Sequence, residues 1–352
     1  MDKILTIIVP AYNMEKYLDR CLSSLIVNEK QMEQLEILVI NDGSKDNTPE
    51  IARRFEQDYP KTFRLINKEN GHYGSCVNRG LSEAEGTFVK ILDADDSLNN
   101  EVFSDYIHFL RSNEVALTAD LVISDYQEVS DEGVAGKCWD YSHISGPFAL
   151  DQLSQEDADK WFIHAICYRT NILRSIHYRQ TEGIAYTDHE WSFTPLSAVK
   201  TCFSFDKPLY RYTVGRDGQS IAPALQARNL WMEAEVMMNM VRTLHKLQND
   251  GKTDNLALSF MENILHKDLL HLYQLYLVTY ANVTLSLEPL TNLDQLLKHS
   301  FPELYNSLDE YTTRIAGVIF TPINNWRESR SGLLFIQRLV YSIANTVNIL
   351  RK

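Results

Sequence analysis

The fold is decided by one run of residues, Phe88-Val89-Lys90-Ile91-Leu92-Asp93-Ala94-Asp95-Asp96. The run begins with mostly apolar residues, as expected of a buried strand, and ends in three carboxylates. No Lys or Arg follows within the next five residues, so these carboxylates raise one another's pKa unless a cation lies among them. Hard oxygen ligands suit Mg²⁺ or Mn²⁺. The run therefore predicts a strand that places metal-binding carboxylates at its C-terminal end, where open α/β sheets bind ligands.

The residues before this run repeat the same design. Strands are predicted from short apolar runs at 4–9, 35–40 and 63–66. Helices are predicted after them, from apolar spacing and an N-terminal Thr-Pro signal, at 15–25, 48–55 and 75–85. This alternation predicts a doubly wound, mostly parallel sheet. The second strand also ends in polar residues, Asn41-Asp42-Gly43-Ser44, so two acidic strand ends are expected in one crevice.

Composition limits the class of protein. The chain has 352 residues, enough for two or three domains, and a formal net charge of −13. Such an acidic chain is a poor non-specific binder of nucleic acid. Five widely spaced cysteines without a CxxC pair indicate a reduced, cytosolic protein with neither a disulfide framework nor a zinc site. A signal-peptide pattern is missing at the N-terminus, and every apolar run is too short to span a bilayer.

Beyond residue 100 the pattern is less regular. Strands are predicted at 121–123 and 202–205, and the glycine-containing stretch 131–147 is interpreted as a loop. Long amphipathic helices are predicted at 224–247 and 256–280, and further helical segments at 292–297 and 303–320. We therefore expect an α/β domain over residues 1–222 and a helical C-terminal domain over 223–352.

Four segments, in order, resemble the signature of family-2 glycosyltransferases. They are Thr6-Ile7-Ile8-Val9-Pro10-Ala11-Tyr12-Asn13, Val39 to Thr48, Asn70-Gly71-His72-Tyr73-Gly74 with Asn78-Arg79-Gly80, and Leu92 to Asp96. The likeness implies the GT-A fold, a Rossmann-like α/β architecture, with residues 1–100 as a nucleotide-binding half and 101–222 as an acceptor half. It also implies a metal-dependent, inverting hexosyl- or N-acetylhexosaminyl-transferase that uses a nucleotide sugar, with a UDP-sugar as the expected donor.

The resemblance assigns roles on the nucleotide side. Pro10, Ala11 and Tyr12 would form a wall for the base, and Asp42 would accept the N–H of a uracil-type base. The alternative for Asp42 and Ser44 is a tight turn before the next helix. By resemblance, Asp93 would face the ribose and the metal, and Asp95 would ligate the Mn²⁺ or Mg²⁺ that bridges the two phosphates. An ion there offsets charge on the departing diphosphate.

An inverting transfer needs a general base. The family usually supplies it as the Asp of a Glu-Asp pair that opens a helix, and here Asp188 takes that position in Tyr186-Thr187-Asp188-His189-Glu190. Thr187 stands where Glu is common, which leaves Glu190 as a second candidate base. Acids that merely favour a helix N-terminus are the alternative for both.

Basic residues are the expected contacts of the phosphates. Arg79 would lie on the nucleotide side, and Arg211 or Arg216 could reach the diphosphate, since a guanidinium matches phosphate geometry. For both of the last two, an ordinary surface arginine on a glycine-rich loop is the alternative. His72 fits a nucleotide contact and an ordinary loop histidine equally well.

The expected partners follow from the family and from the C-terminal sequence. Family resemblance suggests a glycan or lipid-linked acceptor in bacterial cell-surface polysaccharide synthesis. An apolar stripe flanked by arginines over residues 326–352 could lie on the inner face of the cell membrane. Docking of that helix on the transferase domain, or on a second copy through the C-terminal helices, is the alternative.

Three other functions fit the sequence less well. A degenerate nucleotide-sugar-binding or assembly subunit would lack the metal carboxylates or the base, and both are present. A sugar nucleotidyltransferase would need a glycine-rich, basic loop after the first strand, where this chain has Pro10-Ala11-Tyr12-Asn13-Met14. A dinucleotide-binding dehydrogenase would need G-x-G-x-x-G after a strand.

Overall fold

The structure is a computed structural model of the chain. It describes residues 2–329 apart from 142, 143, 145, 217, 218, 220, 221, 282, 316 and 317. The chain divides into two compact units, Met1–Gln219 with Asp254–Phe260, and Ser220–Thr253 with Met261–Lys352. The predicted division into residues 1–100, 101–222 and 223–352 by function remains a prediction.

The first unit is built on strands. In chain order they are Leu5–Ala11 (β1), Leu35–Asn41 (β2), Phe63–Asn67 (β3), Phe88–Ile91 (β4), Ser97–Leu98 (β5), Leu121–Ser130 (β6), Ala135–Trp139 (β7), Pro147–Phe148 (β8), Ile166–Arg169 (β9) and Cys202–Val214 (β10). Every residue of β1 and β2 is buried. A continuous apolar run of this kind is typical of parallel strands that are covered on both faces.

One mixed sheet contains all ten strands. Its main path runs β3-β2-β1-β4-β9-β6-β10-β5, with β7 beside β6 and β8 beside β10. The first four strands along this path pair in parallel, as do β6 and β10, whereas β9 runs antiparallel to both of its neighbours. The prediction of a doubly wound, mostly parallel sheet is therefore confirmed. Parallel pairing places the ends of β1, β2 and β4 at one edge of the sheet.

Helices connect these strands. In the first unit they are Leu18–Ser23 (α1), Glu29–Met32 (α2), Thr48–Asp58 (α3), His72–Glu83 (α4), Asn100–Leu110 (α5), Asn113–Thr118 (α6), Gln155–Asp159 (α7), Thr170–Ser175 (α8) and Asp188–Phe193 (α9). Short 3₁₀ turns occur at Leu150–Gln152, Ile163–Ala165 and Thr194–Ala198. The N-cap of α3 is Asn47, one residue earlier than the Thr-Pro signal suggests, and Pro49 occupies the first turn.

The second unit is mainly helical, as the C-terminal pattern predicts. Its helices are Pro223–Asp250 (α10), the later part of Asn255–Gln274 (α11) with a π-helical continuation at Leu275–Thr279, Glu288–Ser300 (α12), Pro302–Ser307 (α13) and Pro322–Ser329 (α14). Helix α10 ends at Gly251, whose φ of +62° is the left-handed conformation that a helix C-terminus favours. Arg327 fixes the end of the described chain by pairing with Asp294 and Asp309.

Two predictions about secondary structure are wrong. The stretch 131–147 contains strand β7, which lies on an edge with mostly exposed side chains, so no apolar alternation marks it in the sequence. The segment 303–320 is helical only at its start. It continues as the hairpin strands Thr313–Ile315 (β11) and Val318–Phe320 (β12), where β-branched residues favour extended structure.

The described helices include none that is both long and apolar enough to cross a bilayer. The predicted membrane-binding or docking helix at 326–352 lies almost wholly outside the described residues, since the description ends at residue 329.

Candidate active site

The ends of β1 and β2 meet at the position predicted for the nucleotide base. Pro10 and Ala11 are buried at the end of β1, and Tyr12 after them is exposed. The Asp42 backbone N–H donates to the Ala11 carbonyl at 2.9 Å, which holds the predicted wall and the predicted base acceptor side by side. Ser44 also bonds this turn, accepting from the Asn13 N–H at 3.0 Å. Sequence reasoning thus placed these residues together correctly.

The Asp42 carboxylate is held by a lysine that sequence reasoning missed. Lys68 Nζ donates to Asp42 Oδ1 at 2.6 Å, and the Gly71 N–H donates to the same oxygen at 3.0 Å. Both groups are largely buried, so the pair is a charge-assisted contact with little solvent screening. Lys68 directly follows β3 and is 26 residues from Asp42 in sequence, so no local pattern predicts the contact. The pair places an acceptor and a donor next to the predicted base wall.

The three carboxylates after β4 have different surroundings. Asp93 accepts from Tyr73 Oη at 2.7 Å, and Asp95 forms an ion pair with Arg216. Asp96 is fully buried, and it accepts from Tyr210 Oη and from the Thr213 N–H, each at 2.7 Å. Asp96 therefore links strand β10 to the carboxylate turn. The sequence assigns no role to Asp96, and the structure gives it this structural one.

Too little positive charge surrounds this cluster. Burial, together with the Asp95 carboxylate, raises the pKa of Asp93 to about 7, although the Tyr73 hydrogen bond lowers it. Burial and the Asp95 charge raise the pKa of Asp96 well above its ordinary value. Carboxylates in this condition bind a cation readily, because the cation removes the repulsion between them.

Asp188 and Glu190 lie on α9 but differ in what holds them. Both oxygens of Glu190 accept from Thr181, one from its N–H and one from its hydroxyl, each at 2.6 Å. Glu190 is buried, whereas Asp188 at the first turn of α9 is only partly so. A carboxylate that accepts two short hydrogen bonds is a structural anchor and a poor proton acceptor. The geometry therefore favours Asp188 over Glu190 as the base.

Two tyrosines connect Asp188 with the carboxylate turn. After burial, the charges of Asp93 and Asp188 are the main reasons why the pKa of Tyr73 is raised. Burial and then the charges of four carboxylates raise the pKa of Tyr212; these carboxylates are Asp96, Asp93, Asp95 and Asp188. The two rings therefore lie within the electrostatic field of both predicted catalytic elements. Residues 188 and 93, which are far apart in sequence, belong to one site.

The segment that leads into α9 is fixed on helix α4. The Asn78 side chain makes two hydrogen bonds to the Gln180 backbone, in the way that a neighbouring strand does. It donates to the Gln180 carbonyl and accepts from the Gln180 N–H, both at 2.8 Å. A Cβ at Gly74 would lie 1.9 Å from the Thr181 carbonyl oxygen, so only glycine permits this approach. The Asn-Arg-Gly element of the sequence thus holds the segment before α9 through Asn78.

Arginines predicted to bind phosphate fall in three different places. Arg216 is at the carboxylate cluster, where it pairs with Asp95 and stacks 5.1 Å from the centre of the Tyr17 ring. Arg211 lies between Tyr210 and Tyr212 in β10, so its side chain is on the opposite face from theirs. Arg79 pairs with Glu83 on the exposed side of α4 at 2.8 Å. The structure brings Arg216 to the cluster and does not bring Arg211 or Arg79 there.

Backbone strain is concentrated at this edge of the sheet. Three of the four described non-glycine residues with positive φ are Asn13 after β1, His72 at the start of α4 and Tyr186 just before Asp188, with φ values of 56°, 65° and 63°. A left-handed tyrosine or histidine costs of order 1–3 kcal/mol and is retained where the surroundings dictate it. His72, whose role the sequence left open, is thus a strained residue next to the Asp42 turn.

Comparison with known proteins identifies the first part of the chain. Residues 6–167 match the family model described as Glycosyl transferase family 2. This segment belongs to that family. The matched segment contains Asp42 and the Asp93–Asp96 turn and ends before Asp188. The likeness inferred from four short segments is therefore confirmed.

Relatives and solved structures extend the comparison. The minor teichoic acid biosynthesis protein GgaB of Bacillus subtilis (strain 168) is 24% identical over 262 residues, which cover 73% of this chain and 28% of that protein. The chain therefore spans little more than a quarter of that relative. The crystal structure of S. aureus TarS 1–349 in complex with UDP has a TM-score of 0.64 at 18% identity, and the match covers 96% of this chain and 90% of that one.

A second solved structure is more distant. The mannosyltransferase PcManGT from Pyrobaculum calidifontis, in complex with GDP-Man and Mn²⁺, has a TM-score of 0.50 at 16% identity, with 87% of this chain and 83% of that chain covered. At these identities the likeness concerns the fold. The GT-A fold with a C-terminal helical region, predicted from the sequence, is confirmed.

The residues of the family-2 segment fit a divalent metal. Asp93 and Asp95 supply hard carboxylate oxygens at a strand end, and the raised pKa of Asp93 marks unneutralised negative charge there. Arg20 donates to the Asp95 carbonyl at 3.0 Å, which fixes the turn through its backbone and leaves the carboxylate oxygens to other partners. Asp95 and Asp93 are thus the residues that would hold the ion.

Proposed function

We propose that the chain is a metal-dependent, inverting glycosyltransferase that moves a sugar from a UDP-sugar to an acceptor hydroxyl. The observation that carries the proposal concerns Tyr73, whose hydroxyl donates to Asp93 at 2.7 Å and whose pKa is raised by burial and then by the charges of Asp93 and Asp188. A leaving-group site and a proton acceptor must lie on either side of the anomeric carbon for a single displacement. We assign the leaving-group site to the Asp93–Asp96 turn and the proton acceptor to Asp188.

Asp188 is the proposed general base. It is partly exposed, it opens a helix, and its rival Glu190 is held by Thr181. In this role Asp188 would take the proton from the acceptor hydroxyl as that oxygen attacks. The strained Tyr186 and the glycine contact at Thr181 fix the position of the helix, which matters because a displacement of about 1 Å can cost 10²-fold in rate.

Nucleotide binding is assigned to the ends of β1 and β2. The Tyr12 ring and the Pro10-Ala11 backbone would pack against the base, and Asp42 with Lys68 would read its edge. An acceptor beside a donor matches the N3–H and carbonyl oxygens of uracil. The UDP complex of TarS, which has the same fold, supports a UDP-sugar, whereas PcManGT was solved with GDP-Man.

The leaving diphosphate is assigned to the Asp93–Asp95 turn and Arg216. Mn²⁺ or Mg²⁺ would be held by Asp95 with Asp93 nearby, and it would supply positive charge for the departing phosphates. Arg216 offers a second positive group at the same turn, and its planar guanidinium suits phosphate oxygens.

The acceptor is proposed to be a glycan or a lipid-linked glycan of the bacterial cell surface. Support comes from the teichoic acid relative in Bacillus subtilis, and the chain spans only part of that protein. We further propose a cytoplasmic enzyme that acts at the inner face of the membrane, and a homo-oligomer through the C-terminal helices remains a proposal of the same kind.

The test is UDP release from a panel of UDP-sugars with Mn²⁺, with GDP-mannose as the control donor. We expect release with at least one UDP-sugar, and product analysis should show inverted stereochemistry at the anomeric carbon. Tight UDP binding without hydrolysis or transfer from any donor would favour a binding subunit. Release from GDP-mannose alone would move the donor class to guanine nucleotides.

A further inference from the structure

A buried histidine lies next to the carboxylate turn and has no role in the proposed transfer. His164, in the 3₁₀ turn Ile163–Ala165, is only 8% exposed. One of its ring nitrogens and one oxygen each from Asp93 and Asp96 lie within 4.8 Å of one another. Among the described residues this is the one group of three or more His, Cys, Asp and Glu side chains that converges in this way.

One nitrogen of the histidine ring is left without a hydrogen bond in a buried position, where that is costly. Its Nδ1 is buried and has no hydrogen-bond partner among the described residues. Buried polar atoms are almost always satisfied, and an orphan atom calls for an ion, a water or a strain explanation. The ring is packed between aromatic side chains, with Tyr212 stacked at 4.3 Å and Tyr210 at 4.7 Å between ring centres, so it cannot turn freely toward solvent.

The two carboxylates are oriented as metal ligands usually are. Tyr210 and the Thr213 N–H fix Asp96, and Tyr73 fixes Asp93, by hydrogen bonds of 2.7 Å each. Such outer contacts orient the ligands of metal sites. Bonds of ~2.1 Å to an ion allow ligand atoms to be at most about 4.2 Å apart, so closing this trio requires a movement below about 1 Å.

Lys90, a buried cation that bonds the backbone of His164, does not take the place of a metal. Lys90 Nζ donates to the backbone carbonyls of His164 and Ile166, at 2.7 and 3.1 Å. Its hydrogen bonds therefore go to the backbone and not to Asp93 or Asp96. Arg216 pairs with Asp95, outside the trio. Burial, and then the charge of Lys90, lower the pKa of His164 to about 3, so its ring is the neutral form that ligates metals.

We propose that Asp93, Asp96 and His164 form a divalent-cation site that binds its ion without nucleotide and prefers Mn²⁺ to Mg²⁺. The imidazole nitrogen sets this preference, because nitrogen ligands suit transition metals and Mg²⁺ favours an all-oxygen shell. This site shares Asp93 with the position assigned to the diphosphate metal, but its other ligands are Asp96 and His164 in place of Asp95. It requires neither a donor sugar nor transfer activity.

The test is pulsed electron paramagnetic resonance on the full chain, stripped with chelator and then loaded with Mn²⁺ alone. We expect bound Mn²⁺ with modulation from a ¹⁴N nucleus, and this pattern should change when the protein carries ¹⁵N-histidine. His164→Gln should lose the modulation and weaken Mn²⁺ binding by at least about tenfold. His108→Gln, at an exposed histidine of α5, is the matched control and should change neither.

Asp95→Asn separates this site from the proposed function. That variant should keep the ¹⁴N signal while UDP release falls. No Mn²⁺ binding without UDP, bound Mn²⁺ without nitrogen coupling, or a nitrogen signal that persists in His164→Gln would each overturn the site. The ¹⁵N-histidine measurement on the wild-type protein decides the matter even if His164→Gln does not fold.

Discussion

Two acidic clusters of this molecule look alike in sequence and behave differently in three dimensions. The Asp93–Asp96 turn follows β4, and Asp188 with Glu190 opens α9. In each cluster the later acid is buried and accepts two short hydrogen bonds, Asp96 from β10 and Glu190 from Thr181. The earlier acids remain partly exposed. Charge at a strand or helix end therefore locates the site, and the hydrogen-bond donors distinguish the acids that are held in place from those that remain open to solvent.

The largest expected effect comes from replacing Asp188, the partly exposed acid of the second cluster. Asp188→Asn removes the proposed proton acceptor and preserves its shape, so kcat for UDP release with acceptor should fall by about 10³-fold. UDP affinity, measured by calorimetry, should stay unchanged because the nucleotide residues lie on the strand ends. Full activity in this variant would move the base to Glu190 or to another group.

A substitution on α4 should displace Asp188, the proposed base, without changing its side chain. Gly74→Ala places a methyl group against the Thr181 carbonyl, so the segment before α9 must move and kcat should fall by up to about 10²-fold. Gly80→Ala on the same helix is the matched control, because its new methyl meets the side chain of Ile8 instead. Both variants should lose stability in urea. Equal kcat losses in the two variants would show that helix packing, and not base position, is responsible.

Glu190→Gln tests whether the buried acid of the second cluster is a structural anchor. The amide keeps the volume of the side chain and loses the charge that two Thr181 donors stabilise, so the free energy of unfolding should fall by about 1.5–3 kcal/mol. Urea unfolding at pH 7 measures the change. We expect a smaller kcat loss than in Asp188→Asn. A stable variant with abolished transfer would instead make Glu190 the base.

The fold and the edge of the sheet that carries the candidate site are predictable from the sequence, because local patterns of residues determine both. Alternating strands and helices predict the parallel sheet, and polar tips after β2 and β4 predict the crevice. The pairing of acids with donors is not local. Asp96 meets Tyr210, 114 positions later, and Asp42 meets Lys68, 26 positions later. Arg79 is the exception, since its Glu83 partner is four residues away on one helix and was readable as an i,i+4 pair.

A third buried acid, which lies outside the two clusters, shows that a hydrogen bond does not always offset the effect of burial on the pKa. Asp125 in β6 is 4% exposed and accepts from the Tyr141 N–H at 2.8 Å. Burial raises the pKa of Asp125 to about 6 despite that bond. Between about pH 4 and 6 the folded protein therefore holds a proton that the unfolded chain has released, so this group makes stability fall as the pH rises.

This effect of pH on stability is expected to be the smallest of the four predicted effects. Asp125 should contribute a loss of about 1–2 kcal/mol in the free energy of unfolding between pH 4 and pH 7, and Asp125→Asn should remove this contribution while it keeps the Tyr141 contact. Urea unfolding of both proteins across this range measures it, with Asp151→Asn at an exposed acid as the control. Parallel pH profiles for wild type and Asp125→Asn would mean that one backbone donor suffices to hold a buried carboxylate ionised.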